Sequence, residues 1–218
     1  MRSGRLRELG GDAAGLVAVG LVRLGAREQL GATGRSPAWV GGLRAASFAD
    51  AWLAFGDAPG PGLRVPAPTA LRTVTERAAE LVLRSCGEDG PTALERLGRQ
   101  ATDSRERARR DGVTHPAEPC ALTLVWHGVQ ALAAEDGPSH DRRIEERSEA
   151  YVRERHRRQD ALALVLCCAR IAAAALVELS EGDPARVDAW LEQEAAHAMP
   201  RTGPVPLWVP GRPWQPAG

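Results

Sequence analysis

The chain has 218 residues, of which 44% are hydrophobic and 26% are charged. The length fits one domain or two small ones. The proportions are typical of a folded globular protein, and they exclude a disordered or collagen-like chain. The 28 basic and 28 acidic residues cancel, which argues against a surface that coats nucleic acid or acidic membranes as a whole. Every basic residue is an arginine, and the sequence has no lysine or asparagine. A GC-rich coding sequence explains this usage, so it carries no functional message.

The N-terminus and the cysteines bear on the compartment. A basic start precedes an apolar stretch from Ala13 to Leu24, but Arg23, Arg27 and Glu28 follow closely and no convincing small-x-small cleavage site precedes them. We therefore predict an amphipathic helix and not a secretory signal. The cysteines have no CxxC spacing, and the adjacent Cys167 and Cys168 point about 100° apart in a helix, too far apart to pair. Reduced thiols and a cytoplasmic location are therefore expected.

The first 66 residues have weak helix signals. Asp12 to Leu30 has helical periodicity, although Gly15, Gly20 and Gly25 each cost about 1 kcal/mol relative to alanine inside a helix. The segment from Ala51 to Val65 has two apolar runs around a glycine- and proline-rich stretch. We interpret it as a small β-hairpin with a long turn or as a linker.

Three amphipathic helices are predicted next. Apolar residues recur at helical spacing from Thr69 to Cys86, and Gly87 supplies a stop. Pro91 to Arg110 has a thin apolar stripe among arginines, so it is predicted to lie on the surface. Glu118 to Ala134 has the clearest pattern. Its predicted inward face consists of Leu122, Val125, Trp126, Val129, Leu132 and Ala133.

The most apolar window runs from Ala161 to Val177, within a helix that is predicted to begin near Ser139 and to continue to Ser180. Basic and acidic clusters flank the window as they flank a membrane span, but the window is short and its central Arg170 costs roughly 2.5–3.5 kcal/mol in a membrane. A membrane span is therefore disfavoured. We predict a helix buried at the centre of a bundle and covered by the rest of the protein or by a partner.

The last predicted helix opens at Asp183-Pro184, an N-cap followed by proline at the first helical position, and it stops by Pro200. Six prolines from 200 onward predict an extended arm. The predicted fold is therefore mainly α: a bundle around a long, largely buried helix, after a less regular N-terminal section. The predicted divisions are 1–66, 67–199 and 200–218, which together make one compact domain.

Residues 27–46 resemble a helix-turn-helix in part. A first helix is followed by Gly34, and Ser36-Pro37 then opens a second helix. In such motifs the second helix enters the major groove and arginines contact phosphates, which would give Arg35, Ser36 and Arg44 a role in binding DNA. Gln29 at an expected apolar position and the Gly41-Gly42 pair oppose this interpretation, and a plain helical hairpin of the core is the alternative.

Arginines are unevenly distributed. Six occur between 96 and 110, against Asp103 and Glu106, whereas the stretch 171–199 has six acids against Arg186. Such asymmetry favours self-association or a charged partner, unless the folded bundle pairs the two regions internally. The basic stretch is a candidate anion-binding surface, with Arg99, Arg105, Arg109 and Arg110 as its residues. The arginines of 141–158 alternate with acids and are interpreted as a solvated face.

Catalytic and metal chemistry have few candidates. Glu194 and His197 form one ExxH on the last helix, but the second such motif that a di-metal bundle needs is absent from the sequence, so no metal site or cofactor is predicted. His127 is either a buried base or a packed core residue. Cys120 falls in the first turn of its helix and is the thiol that we would test for reactivity. The sequence contains no GxSxG, P-loop, GxGxxG or HExxH motif.

The C-terminal arm has PxxP spacing with two tryptophans. Such an arm binds an aromatic-lined groove of a partner, through Trp208, Pro210, Pro213 and Trp214, or it folds back over a groove of its own helical body. The leading functional hypothesis is therefore a non-catalytic module that binds an unidentified protein or a second copy of itself. A DNA-binding regulator is the alternative, and a helical enzyme or small-ligand-binding bundle around His127 and Cys120 is the third.

Overall fold

The structure, a computed structural model, describes residues 3–31, 45, 47–49, 51–54, 65–112, 116–133, 142–147, 149–151 and 158–198. The protein is mainly α-helical, as predicted. Residues 142–147 and 149–151 are helical as well. The long helices of the described residues are α1 (Ser3–Gln29), α2 (Ala67–Ser85), α3 (Gly90–Arg110), α4 (Ala117–Ala133), α5 (Arg158–Leu179) and α6 (Pro184–Ala198).

The helices end where the sequence places its stop signals. Gly87 and Gly182 have φ of +69° and +74°, a left-handed conformation that glycine adopts without a steric cost. Asp183 Oδ1 accepts a hydrogen bond of 2.9 Å from the backbone N–H of Ala185, which confirms the predicted N-cap of α6. The helix α1 begins nine residues earlier than predicted, because residues 5–9 are arginine, leucine and glutamate, which favour helix.

The predicted β-hairpin is wrong. Leu53–Ala54 (β1) and Val65–Pro66 (β2) do pair, but they run parallel, with Leu53 opposite Val65. A hairpin requires antiparallel strands, whereas parallel strands require a crossover connection. The pairing places Leu53 and Val65 in the apolar core beside α1 and α2.

Helix α5 is the centre of the bundle and packs against α1, α2, α4 and α6. Its inner face is made of small and aliphatic residues, among them Leu164, Ala172 and Leu176, which are at most 1% exposed. The helix α1 contributes to the same apolar clusters as α2 and α5. The predicted division of the chain at residue 66 stays a prediction.

Glycines at two helix crossings allow close approach. A Cβ on Gly25 of α1 would lie 3.0 Å from Ala173 Cβ of α5, and one on Gly128 of α4 would lie 2.8 Å from Ala79 Cβ of α2. These distances are shorter than carbon atoms tolerate without displacement. Glycine and alanine at the crossings therefore let the helices pack closer than larger side chains would allow. This closer packing offsets the cost of placing glycine inside a helix.

One flank of α5 is not covered by the described residues. Ala174 and Arg170 are exposed, and Leu166, Cys167, Ile171 and Val177 are half-buried. The described residues therefore cover the predicted buried helix only in part, and cover of this flank by a partner stays a prediction. By length and hydropathy, residues 161–179 of α5 would be able to cross a membrane, and 44% of an 18-residue window there is buried within the bundle.

The predicted inward face of α4 is right in its first part and wrong at its end. Leu122, Val125 and Val129 are buried, but Leu132 is 49% exposed and Ala133 is also exposed. At the last turn of α4, the described residues therefore cover this apolar face only in part.

Candidate functional site

The open flank of α5 is one wall of a cleft of about 490 Å³, and α3 forms the opposite wall. The α3 residues recur every three or four positions and so share one face of the helix. Val82 of α2 and Leu122 of α4 form an apolar floor between the walls. The wall residues are Arg96, Gln100, Asp103 and Arg107 from α3 and Cys167, Arg170, Ile171, Ala174 and Ala175 from α5.

An ion pair closes one end of the cleft. The guanidinium of Arg96 at the start of α3 contacts the carboxylate of Glu178 at the end of α5, with Nη2 2.6 Å from Oε2. The hydrogen bond from Arg96 to Glu178 raises the pKa of the arginine, so its guanidinium stays charged. The first half of α3 and the end of α5 therefore meet at this end of the cleft.

A second group of polar side chains lies at the other end. Glu118, in the first turn of α4, accepts a hydrogen bond of 2.6 Å from Ser104 Oγ and lies 3.5 Å from Arg107 Nη2. The side chain of Arg107 is 55% exposed, so this contact is weak. The two ends are separated by the length of α5 between Cys167 and Glu178, about 16 Å at 1.5 Å per residue.

The helix α1 supports the α5 wall. Glu28 Oε1 accepts a hydrogen bond of 2.5 Å from Arg170 Nη2, and Gln29 Nε2 donates to the backbone carbonyl of Arg170 at 3.2 Å. The arginine in the middle of the apolar helix is thus compensated by a carboxylate from another helix. The charge of Arg170 is therefore neutralised within the bundle by Glu28, and its side chain lines the cleft.

Two side chains midway along α3 have no polar partner among the described residues. Asp103 and Gln100 lie between Arg96 and Arg107 on the cleft face, and neither makes a hydrogen bond or an ion pair with a described residue. The opposite wall contributes the apolar Ile171, Ala174 and Ala175 from α5. The centre of the cleft therefore combines an apolar floor with one uncompensated carboxylate, an arrangement that suits an apolar ligand segment with a cationic group.

The thiol of Cys167 in the cleft is held in its protonated form by burial. Burial raises the pKa of Cys167 to about 11, more than the nearby Arg170 lowers it. Burial also raises the pKa of Cys168, whose Sγ lies 3.6 Å from Thr75 Oγ1. Neither thiol has the low pKa of a catalytic nucleophile.

The residues predicted for enzymatic chemistry do not converge. His127 is 4% exposed in the core, where its ring lies 5.1 Å from that of Trp126, and it does not line the cleft. Cys120 lines a separate pocket. Glu194 forms an ion pair of 2.7 Å with Arg77, and His197 is exposed. Within the described ranges, no group of three or more His, Cys, Asp or Glu residues is placed to hold a metal ion.

The four arginines of the predicted anion surface are exposed, and they have different neighbours. Arg99 lies 3.8 Å from Glu95, and Arg105 Nη2 donates to Thr123 Oγ1 at 3.1 Å. Arg109 and Arg110 are in the last turn of α3, where positive charge stabilises the helix dipole. The anion surface as a whole stays a prediction.

Two other sets of predicted site residues lie outside the described part of the chain. They are the DNA-binding candidates Arg35, Ser36 and Arg44 and the arm residues Trp208, Pro210, Pro213 and Trp214. The sequence analysis missed the cleft residues Arg96, Arg107 and Arg170 as a group. The spacing 96, 100, 103 and 107 puts Arg96 and Arg107 on one polar face of α3, but only the fold shows that this face lies opposite α5.

Comparison with protein-family models, with curated proteins and with solved structures finds no match for this chain.

Proposed function

We propose that this protein is a non-catalytic helical module that binds a polypeptide partner in the cleft between α3 and α5. The uncovered flank of α5, with Ile171 half-buried and Ala174 exposed beside Asp103, is the observation that carries the proposal. An apolar surface of this kind gains free energy when another chain removes it from water.

The dimensions of the cleft favour a short segment of extended chain. Its length of about 16 Å equals five residues of polyproline-like chain at about 3.1 Å per residue. Its volume of about 490 Å³ is also that of a site for one ligand segment. The partner chemistry follows from the lining: apolar side chains meet Leu122, Ile171 and Ala174, and a basic side chain meets Asp103.

The arginines of the cleft fix its shape. Arg96, Arg107 and Arg170 are each paired with a carboxylate, so they contribute structure and little net attraction for an acidic ligand. The proposed partner segment is therefore basic and apolar. This selectivity separates the proposal from nucleic-acid binding, which would require uncompensated positive charge.

A cleft-filling variant tests the proposal. Ala174→Trp places an indole over the floor of the cleft, whereas Ala196→Trp adds the same group at an exposed position of α6 and serves as the control. We expect proteins that are recovered with the wild-type full chain and with Ala196→Trp to be lost with Ala174→Trp. If quantitative pull-downs find no protein with this pattern, the proposal is wrong.

A charge reversal tests the stated chemistry of the partner. Asp103→Arg replaces the uncompensated carboxylate in the cleft by a cation, and Glu106→Arg makes the same change at an exposed position of α3 that does not line the cleft. Binding of the recovered partner should fall at least about tenfold with Asp103→Arg and stay within about twofold with Glu106→Arg. Equal effects of the two variants would contradict the assignment of a basic partner segment.

A further inference from the structure

A second pocket, of about 320 Å³, lies where α3, the first turns of α4 and the helical residues 147 and 149–151 meet. Two arginines line it, Arg105 from α3 and Arg147, and none of the lining residues that the structure describes is a carboxylate. Among the described residues, this pocket shares no lining residue with the cleft between α3 and α5. Any ligand that it takes is therefore separate from the proposed polypeptide partner.

The two arginines carry charge that the described part of the chain does not compensate. Arg105 donates to a neutral acceptor, Thr123 Oγ1, at 3.1 Å, and Arg147 makes no hydrogen bond or ion pair with a described residue. Glu118, the acidic residue in the first turn of α4, is bound instead to Ser104 and Arg107. By contrast, eight arginines in the described ranges each lie within 4.0 Å of a carboxylate: Arg72, Arg77, Arg84, Arg96, Arg99, Arg107, Arg170 and Arg186.

The remaining walls suit the organic part of a small molecule. Pro116 and Pro119 give flat apolar surfaces. Tyr151 is 8% exposed and packs in the apolar core, so its ring is a fixed wall. A volume of about 320 Å³ is at the lower end of the range for small-molecule sites, which excludes a folded segment of another protein.

We propose that this pocket binds a small organic phosphate, with its phosphoryl group between the guanidinium groups of Arg105 and Arg147. A carboxylate is satisfied by one bidentate arginine, whereas a phosphoryl dianion has three oxygens and accepts hydrogen bonds from two arginines on different sides. The first turn of α4 adds partial positive charge from backbone N–H groups that have no partner within the helix. The proline and tyrosine walls then contact the organic group.

Calorimetric titration of the full chain with phenyl phosphate tests the assignment, and inorganic phosphate and uncharged phenol are the comparison ligands. We expect saturable binding of phenyl phosphate, weaker binding of inorganic phosphate at the same site and no saturable binding of phenol. Loss of one charged hydrogen-bond donor should weaken the binding of phenyl phosphate at least about tenfold in Arg105→Gln and in Arg147→Gln.

Two matched variants control for net charge. Arg99→Gln removes a charge from an exposed position of α3, and Arg143→Gln removes one from an exposed helical position four residues before Arg147. Both variants should bind phenyl phosphate as the wild type does. The proposal is overturned if phenyl phosphate does not saturate the full chain, or if Arg99→Gln weakens binding as much as Arg105→Gln. The cleft variant Ala174→Trp should retain phenyl phosphate binding, so failure of either proposal leaves the other standing.

Discussion

The guanidinium of Arg96 donates two hydrogen bonds to the carboxylate of Glu178, from Nη1 to Oε1 at 3.1 Å and from Nη2 to Oε2 at 2.6 Å. Arg96 opens the basic stretch of the sequence, and Glu178 opens the acidic one. The two stretches are 82 residues apart along the chain and meet within one molecule. At this contact, the uneven charge of the sequence is compensated internally.

The Arg96–Glu178 pair should contribute modestly to stability. Its side chains are 29% and 49% exposed, so water and salt screen the attraction, and we expect a coupling of about 0.5–1 kcal/mol. A double-mutant cycle of Arg96→Gln and Glu178→Gln in urea unfolding measures this quantity. The exposed pair Arg72–Glu76 is the control and should give a smaller coupling. A coupling that does not fall in high salt would contradict the electrostatic explanation.

Gly128 should not tolerate alanine. The added Cβ would lie 2.8 Å from Ala79 Cβ and 3.7 Å from the Thr75 carbonyl oxygen, so α2 and α4 would have to separate. We expect Gly128→Ala to lower the free energy of unfolding by ~1–3 kcal/mol.

Gly98→Ala is the matched control for that substitution. Gly98 lies inside α3, and a Cβ there meets nothing within 4 Å, so alanine should raise the free energy of unfolding by up to about 1 kcal/mol through helix propensity. Both values come from chemical denaturation. Destabilisation of similar size in the two variants would show that helix crossing is not the cause.

Truncation of two leucines of α4 to alanine should lower the free energy of unfolding by very different amounts. Leu124 is fully buried and Leu132 is 49% exposed, although both lie on the same helix. Leu124→Ala should lower the free energy of unfolding by ~2–5 kcal/mol, since it leaves a cavity. Leu132→Ala should change it by less than about 1 kcal/mol. A large loss for Leu132→Ala in urea unfolding would mean that this residue is covered in solution.

Cys167 should react slowly with alkylating reagents in the native protein. Its pKa of about 11 lies above the ordinary value of 9.0, so near neutral pH its thiolate fraction is about 100-fold below that of an ordinary thiol. Because the pKa is raised, the labelling rate should keep increasing with pH until about 11. Iodoacetamide labelling followed by peptide mass spectrometry measures the rate, with urea-unfolded protein as the reference. Native labelling as fast as in the unfolded chain would contradict this burial.

The sequence determined most of the helices of this protein. Apolar spacing located α2, α3 and α4 to within two residues at each end, and the Asp183 cap located the start of α6. These features depend on neighbours within a few residues, and local propensity and capping act over that range. The zero net charge likewise excluded a uniformly basic or acidic surface.

The tertiary structure decided which faces are covered. The parallel pairing of Leu53 with Val65, the exposure of Leu132 and the open flank of α5 all depend on elements that are distant in the sequence. The same holds for the two candidate sites. Helix packing brings Arg96 and Arg170 together in the lining of the cleft, and Arg105 and Arg147 together in the lining of the second pocket. A helical periodicity states that a face is apolar or charged, but the packing of other helices decides whether water, another helix or a ligand lies against it.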